Sequence, residues 1–353
     1  MRRNEFDIIK GIAIFLVVMG HILFYGIEGG SQTPLFRLIG TVHMPMFFFI
    51  SGWWAMKVGT DGKVLAPNLW DRAVRLLTPA FVVSFLWYLY YPHSPVRMDE
   101  LTYAGMMASK HKGGYWFPLT LFEITALYTL AVMLFRIRKG IITEVCVCLA
   151  IWGCTYIITA ASPQWLQDCL ILPPLRNHFP AFVMGAFAHR YSAGFRRLCQ
   201  SNIVRTAAVV TLVVIALVFE NGRSIKHFSF IYSIIGQPFI FSMAVLMMTV
   251  CGAWSARAAE DGKSHPFMRM WVYLGKRSFA IYLLHYFFLF RVPFGNVFLT
   301  SVRDAFVPTV IIASAAAAAV ITVTLLADYI ICRSDFLGFI LAGNPLKRAS
   351  KKQ

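Results

Sequence analysis

Residues 7–25 read DIIKGIAIFLVVMGHILFY. An unbroken helix over this stretch, at 1.5 Å per residue, is about as long as the hydrocarbon core of a bilayer is thick, roughly 30 Å. Comparable apolar runs recur along the chain between turn residues and charges, and ten spans follow: Ile8–Tyr25, Phe36–Met56, Ala73–Tyr91, Tyr115–Phe135, Ile141–Ala161, His178–Ala188, Ile203–Phe219, Phe230–Trp254, Met270–Phe290 and Ala305–Cys332. The sixth is too short to cross alone and is expected to recruit flanking residues, with Pro173 and Pro174 just upstream. The fold expected is an all-α, polytopic integral membrane helix bundle of about ten transmembrane helices.

Composition supports this reading. The 353 residues are 58% hydrophobic and 14% charged, against about 25% charged in soluble domains. That balance excludes a soluble enzyme, a nucleic-acid-binding domain and a disordered chain. The net charge of +17 is carried by short inter-helix stretches with no continuous basic tract, so membrane topology accounts for it and no nucleic acid is expected as a partner. Seven cysteines form neither a disulfide framework nor a metal-ligand spacing. The opening Met1-Arg2-Arg3 resembles a signal peptide, but Lys10 and His21 interrupt the run and no small-residue cleavage site follows, so an uncleaved first span is expected. With neither repeat nor linker, residues 1–353 read as a single membrane domain ending in a short basic tail, 333–353. Segments on the side of Arg2 and Arg3 hold more than twice as many Lys and Arg as the opposite segments, which puts both termini in the cytoplasm.

Ionisable groups inside spans are costly, so each is a candidate for function. Asp7, Lys10 and His21 share one helix face, because eleven residues at 100° each return to within about 20° of the starting direction. Lys10 lies at the cytoplasmic end, either as an anchoring lysine paired with Asp7 or as a functional cation. His21 lies about 16 Å further along the axis, in the outer half of the bilayer. His43 in the second span and His285 in the ninth reach a similar depth. Trp116, Arg176 and His178 come at that level or just above it, and Glu123 lies about two turns deeper. Taken singly, Trp116 reads as an interfacial anchor and Arg176 as a headgroup contact. The sequence contains no nucleophile elbow, zincin, Walker or Rossmann motif, which leaves histidine general-base chemistry without a metal.

The string Asp7 to His21, the string HMPMFFFISG from His43 to Gly52, Trp116-Phe117, Phe179-Pro180-Ala181-Phe182 with Gly185, and GKRSFAIYLLH from Gly275 to His285 together resemble the acyltransferase-3 family of integral membrane acyltransferases. The resemblance covers residues 5 to about 330, in the right order. It implies about ten membrane helices and transfer of an acyl group, commonly acetyl, from cytoplasmic acyl-CoA to a hydroxyl of an exported or cell-surface glycan or glycolipid. The family's basic-x10-His signature falls on Lys10 and His21, with Lys where many members carry Arg.

Under that resemblance, acyl-CoA enters as co-substrate with no bound cofactor. A basic inner mouth drawn from Arg2, Arg3, Lys10, Arg72 and Arg75 would hold its phosphates, and Asp7, Lys276 and Arg277 are further acyl-CoA-binding candidates. His21 would be the general base, and His43, Trp116, Glu123, Arg176 and His285 would orient it or position the acceptor. The expected setting is the cytoplasmic (inner) membrane, with lipid around the bundle. A reading from another class is a transporter or flippase for a glycan precursor, using the histidines as a proton relay.

Overall fold

The computed structural model describes residues 4–58, 64–65, 68–94, 96, 102–134, 140–221, 229–260, 266–292 and 306–344. Arg2, Arg3 and the end of the basic tail, 345–353, lie outside the described residues, as do parts of the loops used in the charge count. The ten expected spans all coincide with helices. These are α1 (Asn4–His21), α2 (Pro34–Trp53), α3 (Leu69–Tyr90), α5 (Trp116–Leu134), α6 (Ile141–Ala161), α8 (Leu172–Arg190), α10 (Asn202–Asn221), α11 (Ser229–Glu260), α12 (Pro266–Leu284) and α13 (Phe306–Ile331). Short helices α4 (Tyr103–Ala108), α7 (Gln164–Cys169), α9 (Ser192–Gln200) and α14 (Asp335–Ala342) fill the connections, with a two-residue ribbon pairing Lys57–Val58 with Val64–Leu65.

The sixth span gains its length upstream. Pro173 and Pro174 occupy the first turn of α8, where a missing N–H costs nothing, so the pair that reads as a break is a helix start. Among the described residues seven helices are long and apolar enough to cross a membrane, and an eighth if α9 and α10, bent by 78°, count as one span. On α9, Phe195 and Cys199 are buried while Arg196 and Arg197 are exposed, the pattern of a helix lying in the interface. Helices α8 and α12 are more polar, carrying Arg176, His178, His189 and Arg190 on one and Arg269, Lys276 and Arg277 on the other. Several of these polar groups have protein partners: Arg190 pairs with buried Glu144 on α6, and Arg277 pairs at 3.0 Å with buried Asp328 on α13. Leucines and isoleucines such as Leu134, Ile142, Ile157 and Ile203 are exposed, which only a lipid environment makes favourable.

Helix α1 is central, packed against α12, α2, α11 and α13. Its closest approach is to α12. A Cβ on Gly11 would overlap the Trp271 carbonyl, and one on Gly275 would overlap the Asp7 carbonyl, so two backbones meet where neither helix has a side chain. Helices α2 and α8 repeat the device, with Gly52 against the Phe182 carbonyl and Gly185 against that of Phe49. In both pairs the helices run parallel, which carries the polar residues of each partner to the same end. The tail begins as α14, which packs on α3 and α12. Its last turn closes with Gly343 at φ 69° beside Phe279, and Asn344 donates to the Cys332 sulfur at 3.0 Å.

Candidate active site

The glycine contact between α1 and α12 fixes their register. Ten residues beyond Gly11 stands His21, and ten beyond Gly275 stands His285. The two imidazoles meet edge to edge with planes 10° apart, and His21 Nδ1 lies 2.8 Å from His285 Nε2. Both helices abandon α geometry at this level. After His21 the chain widens into a π turn over Ile22–Gly26, and His285 opens a 3-10 turn that ends at Phe288.

His285 is fully buried. Its Nδ1 lies 3.0 Å from the Ile281 carbonyl and 2.8 Å from that of Tyr282. Carbonyls only accept, so Nδ1 carries the proton, and in a neutral ring Nε2 is a lone pair. That lone pair takes the Nδ1–H of His21, which leaves His21 Nε2 unprotonated. Two backbone carbonyls thus set the tautomer of a residue on another helix.

His21 Nε2 belongs to the residue that opens onto a cavity of about 430 Å³, whose walls include His21, Phe24, Tyr25, Phe36, His43, His111, Trp116 and Tyr286. The cavity is lined by the end of α1 and the π turn after it, by α2, by Trp116 at the start of α5, by Tyr286 in the turn after α12, by Val96 and by the segment 109–114. His43 Nδ1 donates to the Ile39 carbonyl at 2.5 Å, so its Nε2 too is an acceptor. Behind Trp116, His178 is stacked parallel between that ring at 5.6 Å and Phe48 at 4.6 Å.

The 109–114 segment is held by Lys112. Its side chain is buried, its φ is 47°, and its Nζ donates to the Met107 carbonyl and, at 3.0 Å, to that of Asp168 in α7. Burial lowers the pKa of its ammonium below the usual lysine range, opposed by the nearby Cys169, Glu123 and Asp168. The bridge ties the α4 segment to α7 above the cavity.

The structure therefore gathers His21, His43 and Trp116 at one cavity, with His285 directly behind His21. Glu123 is half-buried, its Oε2 has no hydrogen-bond partner among the described residues, and it does not line the cavity. Arg176 also stands apart, its guanidinium 4.7 Å over the Tyr156 ring on α6 and its Nε bonded to Asn177. At the other end of the bundle, Lys10 pairs with buried Asp7 at 2.8 Å while remaining partly exposed. Arg72 donates to the carbonyls of Trp54 at 2.8 Å and Ala55 at 3.5 Å, closing the C-terminal end of α2. Arg277 is engaged by Asp328 and Cys332, whereas Arg75 and Lys276 are exposed. Among the described residues no three His, Cys, Asp or Glu side chains are arranged to hold a metal ion.

Sequence reasoning missed Tyr286 and His111. Tyr286 follows His285 directly, and the end of an α-helix, where consecutive residues turn to one site, was the available signal. His111 lies in a polar connection with no periodicity to read.

A family model described as an acyltransferase domain matches residues 3–329. The nodulation protein NolL of Sinorhizobium fredii (strain NBRC 101917 / NGR234) is 30% identical over 200 residues, covering 52% of this chain and 48% of that protein. NolL of Mesorhizobium japonicum (strain LMG 29417 / CECT 9101 / MAFF 303099) is 30% identical over 196 residues, 52% of this chain and 47% of the other. The match thus spans about half the length of these relatives. No solved structure matches the chain.

Proposed function

The chain belongs to the acyltransferase-3 family, and from that premise we propose that this multi-pass membrane acyltransferase moves an acyl group, acetyl in the simplest case, from acyl-CoA to a hydroxyl of a glycan or glycolipid. The observation that carries the reading is the tautomer chain from the carbonyls of Ile281 and Tyr282 through His285 to an unprotonated His21 Nε2 at a cavity. A general base needs such a lone pair held towards the group it deprotonates.

In this mechanism the acceptor hydroxyl enters the cavity and gives its proton to His21 Nε2 as its oxygen attacks the thioester carbonyl carbon. The tetrahedral intermediate collapses, the C–S bond breaks, and the proton on His21 passes to the departing CoA sulfur. His285 keeps His21 in the productive tautomer and spreads the positive charge that forms on it, a role comparable in kind to the third member of a hydrolase triad. Aromatic walls from Tyr25, Phe36 and Trp116 with polar tips from His43 and His111 suit a sugar ring, which offers apolar C–H faces and a rim of hydroxyls.

The nucleotide end of acyl-CoA cannot enter hydrocarbon. We assign it to the basic end of the bundle, cytoplasmic in this reading, where Lys10, Arg75 and Lys276 are among the accessible cations of the described residues. The thioester arm then runs along α1 towards His21, about 16 Å away. The setting is the cytoplasmic membrane, one membrane domain within lipid. The test is incubation of the purified protein with radiolabelled acetyl-CoA and a panel of oligosaccharides and glycolipids. Label in an acceptor, lost in His21→Ala, supports the reading; no transfer from acetyl, succinyl or longer acyl-CoA overturns it.

A further inference from the structure

We propose that the Tyr286 hydroxyl is a catalytic group, donating a hydrogen bond to the oxyanion that forms as the acceptor attacks the acyl carbonyl. This rests on the acyl-transfer reading with His21 as base.

Tyr286 Oη lies 3.1 Å from His21 Nε2. Because the tautomer chain leaves that nitrogen a lone pair, the phenol is the donor. Two other buried tyrosines nearby spend their hydroxyls on backbone: Tyr115 donates to the Leu283 carbonyl at 3.0 Å and Tyr282 to that of Gly114 at 2.7 Å. Tyr286 differs. Among the described residues its only hydrogen-bond partner is the base, and it lines the cavity. A buried phenol ordinarily secures a structural acceptor; this one is aimed at the place where the reaction happens.

Its position is tightly held. The ring packs on His285 at 4.3 Å, Tyr115 at 5.5 Å and Trp87 at 5.6 Å. Gly114, at φ 96°, faces the phenol, and a Cβ there would overlap its hydroxyl, so the loop yields its side chain to admit the Tyr286 oxygen. A buried donor fixed in advance is the arrangement that stabilises developing charge.

The consequence for the reaction is direct. When the acceptor hydroxyl takes over the His21 lone pair, the Tyr286 O–H is released one hydrogen-bond length away. The proton of the acceptor goes to Nε2, the C–O bond forms, and the carbonyl π pair moves onto its oxygen. That oxygen is bonded to the same carbon as the attacking oxygen, within reach of a donor beside the base. On collapse the C=O reforms, the C–S bond breaks, and CoA sulfur takes the electron pair and the proton from His21. Tyr286 keeps its own proton throughout.

Transfer of radiolabel from acetyl-CoA to an oligosaccharide panel and to water tests this. Tyr286→Phe should lower kcat about 10²–10³-fold with little change in KM for acetyl-CoA. Replacing Tyr286 by 3-fluorotyrosine or 3,5-difluorotyrosine keeps the ring and acidifies the phenol, and should raise kcat. If Tyr286 only locks His21 in place, a more acidic phenol binds the base harder and kcat falls. Tyr286→Phe activity within about threefold of wild type, or fluorotyrosine variants no faster than wild type, overturns the assignment. A wild type inactive with acetyl, succinyl and longer acyl-CoA overturns the acyl-transfer reading itself, whereas an active wild type silenced by His21→Ala but indifferent to Tyr286 sinks Tyr286 alone.

Discussion

His21 and His285 stand 2.8 Å apart, ring nitrogen to ring nitrogen, although they come from opposite ends of the chain. Each lies where its helix leaves α geometry, and each lies ten residues beyond a glycine at which the two helices touch. The pair is positioned from below by backbone contact and from the side by two carbonyls, so both the distance and the tautomer are structural properties. Replacing His285 should therefore act on His21. His285→Phe or His285→Leu is expected to cut kcat by about 10²–10⁴ while leaving acyl-CoA affinity intact, since it removes the group that holds the base in its tautomer. Equilibrium binding of acyl-CoA beside steady-state turnover checks this; wild-type turnover in both variants would remove His285 from the mechanism.

Lys10 stands on the same face as His21 but pairs with Asp7 at 2.8 Å. If its exposed side also meets the donor phosphates, Lys10→Ala should raise KM for acyl-CoA and spare turnover at saturation, the signature of lost uniform binding. Lys10→Arg should keep part of the affinity, because the charge survives while geometry and donor number change. An unchanged KM in Lys10→Ala would leave the residue only its ion pair.

The glycine contacts make a different demand. Gly275→Ala places a methyl group on the Asp7 carbonyl and Gly11→Ala places one on that of Trp271, so either should force α1 and α12 apart and disturb the His21–His285 pair. Lower thermal stability together with lost turnover is expected. Gly153→Ala and Gly252→Ala, with open space at the added carbon, should be neutral or stabilising by about 0.5–1 kcal/mol, as helix propensity dictates. Melting curves in detergent compare the four; a Gly275→Ala protein as stable and active as wild type would refute the register argument.

Away from the cavity, Glu144 on α6 accepts from Tyr128 of α5 at 2.9 Å and from Arg190 of α8 at 2.5 Å. Removing one partner leaves a buried charge, so Arg190→Met should destabilise by about 3–5 kcal/mol. Glu144→Leu combined with Arg190→Met should cost clearly less than the two single changes added. Additive losses in chemical unfolding would mean that the two residues act independently.

Topology gives the last prediction. In a cysteine-free background, single cysteines at Ser192 and Ser334 should be shielded from a membrane-impermeant thiol reagent in intact cells, and one at Ser109 should react. Labelling from outside at Ser334 would invert the orientation drawn from the basic residues.

How far the sequence reached depends on the range of the interactions. Apolar runs long enough to cross a bilayer are a local property, because lipid forces each segment to satisfy its own backbone hydrogen bonds. The seven or eight helices of the described residues that are apolar enough to cross could be read that way, as could the shared face of Asp7, Lys10 and His21, which follows from helix geometry alone. The prolines of α8 misled only about where that helix starts. What no local rule contains is the rotation and register of one helix against another. Those are set where small residues let distant backbones touch, Gly11 on α12 and Gly275 on α1. The equal spacing of each glycine from its histidine was present in the sequence, but nothing in it says that the two helices are neighbours. Tertiary structure decided that His285 meets His21, that the Tyr286 hydroxyl lies against His21, and that Arg176 rests on Tyr156 away from the cavity. It also decided that Arg72 and Arg277, alike as acyl-CoA-binding candidates in the sequence, are committed to a helix end and to Asp328, because the partner that claims a charge lies on another segment of chain.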